Sequence, residues 1–280
     1  LMETSVSHQA YEASRLDDSE THKMLSKTYP YTILITEDDD EVRCFLEREL
    51  SPHFKTRTAA NGKDALRVLE EEEISLVVSD VMMPEMNGFE LCRMIKSQLP
   101  FSHIPVILLT ALTDERQRIF GITGGADDYI QKPFHTDYVK IKIIHLLQER
   151  QKLRERLLEK LRDNKLLLSE PEKVESIDDA FLRKFAEQIE AVYADPEYNV
   201  EKLSETLGLS RGHLHRKIKE LTGTAPVEFL RTYRLNKATQ LLRQNAYTVS
   251  EVAYRTGFSS PAYFSKCFKA VYGVTPTEYQ

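Results

Sequence analysis

The chain has no apolar stretch long enough to cross a bilayer. Its longest run, "IPVILLTAL" at residues 104–112, falls far short of the ~20 residues a membrane helix needs. A secretory h-region is also missing. Residues 1–30 are polar and without a clear period, so they read as linker or tail and nothing in them directs export. Cysteine is scarce: Cys44, Cys92 and Cys267 are odd in number, widely spaced and form no CxxC pair. That argues against a disulfide scaffold or a cysteine metal site and predicts a reducing compartment.

What is present is enough for two cores. A length of 280 residues suggests about two domains, at roughly 100–200 residues each. The composition, 41% hydrophobic and 29% charged, is that of a soluble globular protein. The net charge of −6 conceals an asymmetry. Residues 31–148 carry 13 Lys and Arg against 20 Asp and Glu, a net of −7. Residues 199–280 carry 12 against 6, a net of +6. An acidic half joined to a basic half suggests that one meets cations and the other polyanions.

From Tyr31 the pattern alternates. Apolar runs at "YTILIT", "FKTRTA", "ISLVVS", "IPVILL" and "DDYI" are separated by helical stretches near 39–50, 62–72, 88–98, 113–122 and from 136 onward. Strands alternating with helices predict an α/β doubly wound, five-stranded parallel sheet of the small flavodoxin-like order 2-1-3-4-5 over residues 31–148. The last helix continues through "YVKIKIIHLLQERQKLRERLLEKLRD", with Val139, Ile143, Leu146, Leu153 and Leu157 near a 4,3 spacing. That seam fits a short dimerising coiled coil, and also a connector lying on its own domain. Residues 149–176 form the helical connector and the linker, which Pro171 breaks.

Residues 177–280 predict an all-α domain with an internal repeat. "VEKLSETLGLSRGHLHRKIK" and "VSEVAYRTGFSSPAYFSKCFK" each hold a short helix, a turn at Gly208 or Gly257, and a second helix. This is a double helix-turn-helix pattern, with cores at Leu203, Leu207, Leu209, Leu214 and Ile218, and at Val252, Ala253, Phe258, Phe264 and Phe268. Exposed positions then carry Arg211, His215, Arg216 and Lys217, or Ser259, Tyr263, Ser265 and Lys266. Arginine can grip guanine bidentately, and lysine and serine suit phosphates.

In a doubly wound sheet, ligands sit beyond the carboxyl ends of the strands, where the strand order reverses. Those ends present Glu37 and Asp38, then Asp80, Thr110 and Lys132. Carboxylates this close repel unless a cation neutralises them, and hard oxygen ligands favour Mg²⁺ or Mn²⁺. A lysine and a hydroxyl facing the same point suit phosphoryl oxygens, so the implied chemistry is phosphoryl transfer to a carboxylate. Singly, each residue has a plainer reading: Glu37 and Asp38 could cap the first helix, Thr110 the fourth, and Lys132 could be a surface residue.

"ILITEDDDEVR", "LVVSDVMMPEMNGFEL", "PVILLTAL" and "GADDYIQKPF" resemble the receiver domain of two-component response regulators. The resemblance implies that Asp80 accepts a phosphoryl group from a histidine kinase and that Glu37, Asp38, Asp80 and the Met82 carbonyl hold the metal. It makes Thr110 the switch hydroxyl, Lys132 the phosphate contact and Tyr129 the switch aromatic, and makes the Lys132–Pro133 bond cis. Met82 and Leu112 would flank the path of the hydrolytic water, and neither can orient it, so a long-lived phosphoryl state is expected. A rival resemblance exists, since "DDDEV" at 38–42 matches the nucleophile motif of haloacid-dehalogenase-like hydrolases, with Asp38 as nucleophile. Such enzymes place their lysine before the late acidic pair, whereas Lys132 follows Asp127 and Asp128, and they give Asp80 no role.

The basic half resembles the AraC/XylS-type DNA-binding domain, over about residues 180–280. Base contacts carried over by position fall at Gly212, His215 and Arg216, and at Ala262, Tyr263, Ser265 and Lys266. Gly212 and Ala262 are too small for a polar contact, and family domains usually run a few residues further. The whole order resembles the C-terminal part of Bacteroides-type hybrid two-component sensors, because about 30 polar residues precede the first strand where a stand-alone regulator has only a few. Expected partners are double-stranded promoter DNA, a histidine kinase in the same or another polypeptide, a second copy of the chain as a homodimer, and RNA polymerase. The segment is expected to be cytoplasmic and without membrane contact, its full-length parent an inner-membrane protein. It is expected not to be an enzyme, beyond weak self-dephosphorylation, while the parent would add histidine kinase activity. A phosphorylation-independent DNA-binding protein, with the receiver as a dimerisation module, is the alternative.

Overall fold

A computed structural model describes residues 23–111, 125–162 and 176–280, with side chains not described at 156–162. The expected helix at 113–122, Leu112 and the linker around Pro171 lie outside the described residues. Contacts divide the chain into two units, Leu1–Gln151 and Lys152–Gln280.

In the first unit the apolar runs become β1 (Thr32–Thr36), β2 (Lys55–Ala59), β3 (Leu76–Asp80), β4 (Val106–Thr110) and β5 (Asp128–Gln131). All neighbours pair in parallel, in the order β2-β1-β3-β4-β5. Helices α1 (Asp40–Leu50), α2 (Gly62–Glu71) and α3 (Gly88–Ser97) follow β1, β2 and β3, and α4 (Thr136–Arg162) follows β5. Successive strand residues point to opposite faces. Ile33, Ile35, Leu76, Val78, Ile107 and Leu109 therefore pack with α1 and α4, while Leu34, Val77, Val106 and Leu108 pack with α2 and α3. With both faces covered, the strands read as continuous apolar runs.

Here the structure corrects one expectation. Val139 and Ile143 are fully buried in the receiver's own core, together with Ile144 and Leu147. The 139–157 seam cannot be a coiled coil along its length, because its first half already covers the sheet. Only Leu153, 66% exposed, stays outward among its described side chains.

The second unit is helical: α5 (Ile177–Val192), α6 (Val200–Leu207), α7 (Arg211–Thr222), α8 (Pro226–Arg243), α9 (Val249–Arg255), α10 (Pro261–Tyr272) and α11 (Pro276–Tyr279). Side-chain caps at Asn199, Ser210, Thr248 and Ser260 accept the first orphan N–H groups of α6, α7, α9 and α10. The expected cores are buried except Leu209, which is half-buried. Gly208 and Gly257 take the left-handed φ of 67° and 79° that their turns require. No described helix is long and apolar enough to cross a membrane.

Candidate functional site

β1 and β3 are neighbours, so their C-terminal ends deliver Glu37 and Asp80 to the same edge of the sheet. Carboxylate oxygens of Glu37, Asp38 and Asp80 lie within 4.8 Å of one another. Glu37 is buried and Asp38 exposed. Lys132, just past β5, places its Nζ 2.8 Å from Asp80 Oδ1 and 2.9 Å from Glu37 Oε2. The Met82 N–H donates to Asp80 Oδ2 at 3.2 Å, so both oxygens of this acid are held. The Lys132–Pro133 peptide is cis, as expected.

Capping does not explain the acids. Asp39 is the residue that caps α1, accepting from the Glu41 and Val42 N–H groups. Nor does Asp38 fit as the nucleophile, since the lysine binds Asp80 and Glu37. Three carboxylates against one ammonium leave an uncompensated negative charge. Burial pushes the Glu37 carboxyl above its ordinary 4.5; the Lys132 hydrogen bond pulls it back, and Asp80 and Asp38 push it up further. Burial opposes the charge on Lys132, but its bonds to Asp80 and Glu37 outweigh that and lift its pKa. Hard oxygens this close, short of positive charge, fit a small divalent cation such as Mg²⁺.

Thr110 ends β4, one residue beyond the Leu109 that pairs with Asp80, and its carbonyl accepts the Lys132 N–H at 2.7 Å. Tyr129 packs against the α3-side core, and its hydroxyl is buried with no hydrogen-bond partner among the described residues. Burial, then Cys92 and Asp127, push that phenol up to about 12. The Met82 side chain is 67% exposed at the rim.

Two contributors were not singled out from sequence. Gly88 opens α3 directly beneath the strand end; its N–H donates to the Val81 carbonyl at 3.0 Å, and a Cβ there would run into the Asp80 carbonyl oxygen. Arg43 on α1 donates to the Glu37 carbonyl at 2.7 Å and pairs with Asp40, fixing the acidic loop from below. The "NG" at 87–88 was the available signal for the first, and the spacing of Arg43 from the acidic run for the second.

In the basic unit, Arg211 and His215 are exposed on α7 and Arg216 is half-buried; Arg211 pairs with Glu201 at 2.9 Å. Tyr263 and Lys266 are exposed on α10, while the half-buried Ser265 donates its hydroxyl to the Pro261 carbonyl at 2.9 Å. Lys217 is a correction. It is fully buried, with its Nζ 2.6 Å from Asp178, and is not placed to touch DNA. Its i+3 position from Leu214, beside Ile218, lies on the core face of α7. Arg231 on α8 was not foreseen; the Tyr263 hydroxyl of α10 raises its pKa, and its guanidinium pairs with Glu228 at 3.4 Å.

The first unit is thus a doubly wound sheet with an acid–lysine pocket, and the second carries two helix-turn-helix units. Residues 33–144 match the response regulator receiver domain family, and residues 203–280 match a helix-turn-helix domain family. It is 37% identical over 265 residues to a histidine kinase of Formosa agariphila, covering 95% of this chain and 19% of that protein. It is 43% identical over 121 residues to the transcriptional regulatory protein GltR of Pseudomonas aeruginosa, covering 43% of this chain and 50% of that one. The chain thus spans half or less of the length of these relatives. Among solved structures, the receiver domain of a signal transduction histidine kinase from Syntrophus aciditrophicus is 38% identical, with 42% of this chain and 91% of that chain covered and a TM-score of 0.41.

Proposed function

We propose that Asp80 accepts a phosphoryl group from a histidine kinase and that this modification governs binding of promoter DNA by residues 177–280. The observation that carries the reading is the Lys132 bridge to Asp80 and Glu37, with Asp38 closing the acidic group. A carboxylate oxygen of Asp80 forms the new O–P bond as the P–N bond to the donor histidine breaks. Lys132 is placed to follow the charge onto the phosphoryl oxygens, and Thr110 is the hydroxyl nearest in register to meet the new group. A divalent ion held by Glu37, Asp38 and Asp80, with the Met82 carbonyl, would neutralise charge at phosphorus. Tyr129 is the aromatic proposed to respond.

The helix-turn-helix units supply the output, with His215, Arg216, Tyr263 and Lys266 as base or phosphate contacts, Arg211 at the helix entrance and Ser265 within α10. Receiver contacts between two copies would raise affinity. The similarity to a histidine kinase over nearly the whole chain supports a place within a longer hybrid sensor that carries its own kinase. Intact-mass measurement after acetyl phosphate and Mg²⁺ tests the site. One added phosphoryl group is expected, absent in Asp80→Ala; modification that persists in that variant rejects Asp80.

A further inference from the structure

A guanidinium offers its N–H groups in a fixed planar fork. On Arg234, half-buried in the middle of α8, that fork meets two backbone carbonyls: Nε donates to Tyr193 at 2.7 Å and Nη2 to Asp195 at 2.6 Å. Burial disfavours the charge, and Asp195 opposes that in part. Tyr193 caps the C-terminus of α5, where the helix dipole favours a cation. Asp195 opens the loop into the first helix-turn-helix. Its carbonyl also accepts the Tyr198 N–H at 3.3 Å, and its carboxylate accepts the Glu197 N–H at 2.9 Å. Asn199, which follows Tyr198, caps α6. Arg234 thus grips the loop from which α6 starts.

The same residue borders the second helix-turn-helix. Its neighbours on α8, Leu235 and Ala238, pack in one core with Val252, Phe258 and Phe264. The Gly257 turn comes so close that a Cβ there would stand 2.8 Å from Arg234 Nε. Other bonds join α8 to α5, since the Tyr233 hydroxyl and Lys237 both bind Glu190. Those bonds end on the body of α5, before the loop. At its other end the first helix-turn-helix meets α8 through residues 223–225, which join α7 to α8. It is therefore held to α8 on two sides, by that short link and by the loop in the grip of Arg234. We propose that Arg234 is a positioning residue that fixes the spacing of α7 and α10, by holding the loop into α6 against the turn of the second helix-turn-helix. This rests on the reading of α7 and α10 as the DNA-reading helices. Two reading helices at a fixed separation demand a fixed separation of the sites they read.

The test uses a duplex selected from a random pool by the unaltered chain, its two contacted stretches mapped by base substitution, and a second duplex with one base pair inserted between them. The insertion moves one stretch by about 3.4 Å and turns it by roughly 35° about the axis. It should cost the unaltered chain about tenfold or more in affinity, the worth of one well-aimed base contact. In Arg234→Met, held at a temperature where circular dichroism shows it folded, that penalty should shrink to about threefold or less. A variant that is only less stable loses affinity on both duplexes alike and leaves the ratio unchanged.

A folded Arg234→Met with the parent's ratio overturns the proposal, and so does an unaltered chain indifferent to the insertion. Should Arg234→Met fail to fold, Arg234→Lys decides, because a single ammonium cannot meet both carbonyls in the geometry of the fork. A folded lysine variant with a reduced penalty supports the spacing role, and one with the full penalty overturns it. Failure of both variants to fold overturns it as well, since the residue then serves the fold and not the spacing. A chain that selects no duplex at all overturns the DNA-binding reading, and the positioning role falls with it.

Discussion

Glu37 and Lys132 meet across 95 positions of sequence, with Asp80 arriving from a third strand end, whereas each helix-turn-helix unit completes its caps, turn and second helix within residues 199–223 or 248–273. In the receiver the sheet itself is the instrument: shifting any one strand end separates the acids from the lysine. In the basic unit the geometry is local, and its two copies have diverged in how tightly they are held. The turn glycine of the first, Gly208, has open space around its Cβ position within 4 Å. A Cβ on that of the second, Gly257, would run into the Tyr193 carbonyl oxygen and stand 2.8 Å from Arg234 Nε. Arg234 also donates to the Tyr193 carbonyl at 2.7 Å, so the second turn is held against the end of α5.

The largest effects should therefore fall where backbone meets backbone. Gly257→Ala and Gly88→Ala each force a Cβ into a carbonyl oxygen and should cost more than about 4 kcal/mol by chemical denaturation. Gly208→Ala keeps its space and meets only the left-handed backbone cost, about 1–2 kcal/mol. Equal losses at Gly208 and Gly257 would erase the contrast between the two units. Replacing Met82, exposed at the pocket rim, with Asn, together with Leu112→Glu, should speed loss of phosphate roughly tenfold or more, by giving the water polar partners. A double variant no faster than the parent in Mg²⁺ buffer breaks that account of the lifetime.

The smallest effect concerns pH. Burial raises the Glu37 carboxyl above 4.5, so on acidification it takes up its proton earlier than an ordinary glutamate. A protonated carboxyl is a poor ligand, so Mg²⁺ affinity should begin to fall at a pH above 4.5 and recover as Glu37 ionises again. Glu37→Gln should flatten that part of the titration. A profile in the variant that follows the parent would place the proton elsewhere.

The receiver was legible because each strand is an apolar run cut off by a charged or turn residue, and because four strand ends carried compatible chemistry at once. Which acid of "EDDD" caps α1 was not legible; only the loop's path gives that task to Asp39 and frees Glu37 and Asp38 for the pocket. The "NG" at 87–88 marked a turn, but the close approach of Gly88 to Asp80 exists only once β3 and α3 are folded together. Val139 and Ile143 misled because a helix lying on a sheet and a helix in a coiled coil share one spacing. Lys217 misled because charge was taken for exposure, although its spacing from Leu214 and Ile218 had already placed it inward.

The central claim is that the acidic pocket controls the basic half, and DNA affinity measured with and without acetyl phosphate in Mg²⁺ tests it most directly. On a duplex selected by the unaltered chain, phosphorylation should tighten binding in the parent and leave Asp80→Ala unmoved, with a steep fall in affinity as salt rises in both. Binding that is unchanged by phosphorylation in the parent, or that tightens equally in Asp80→Ala, would contradict it.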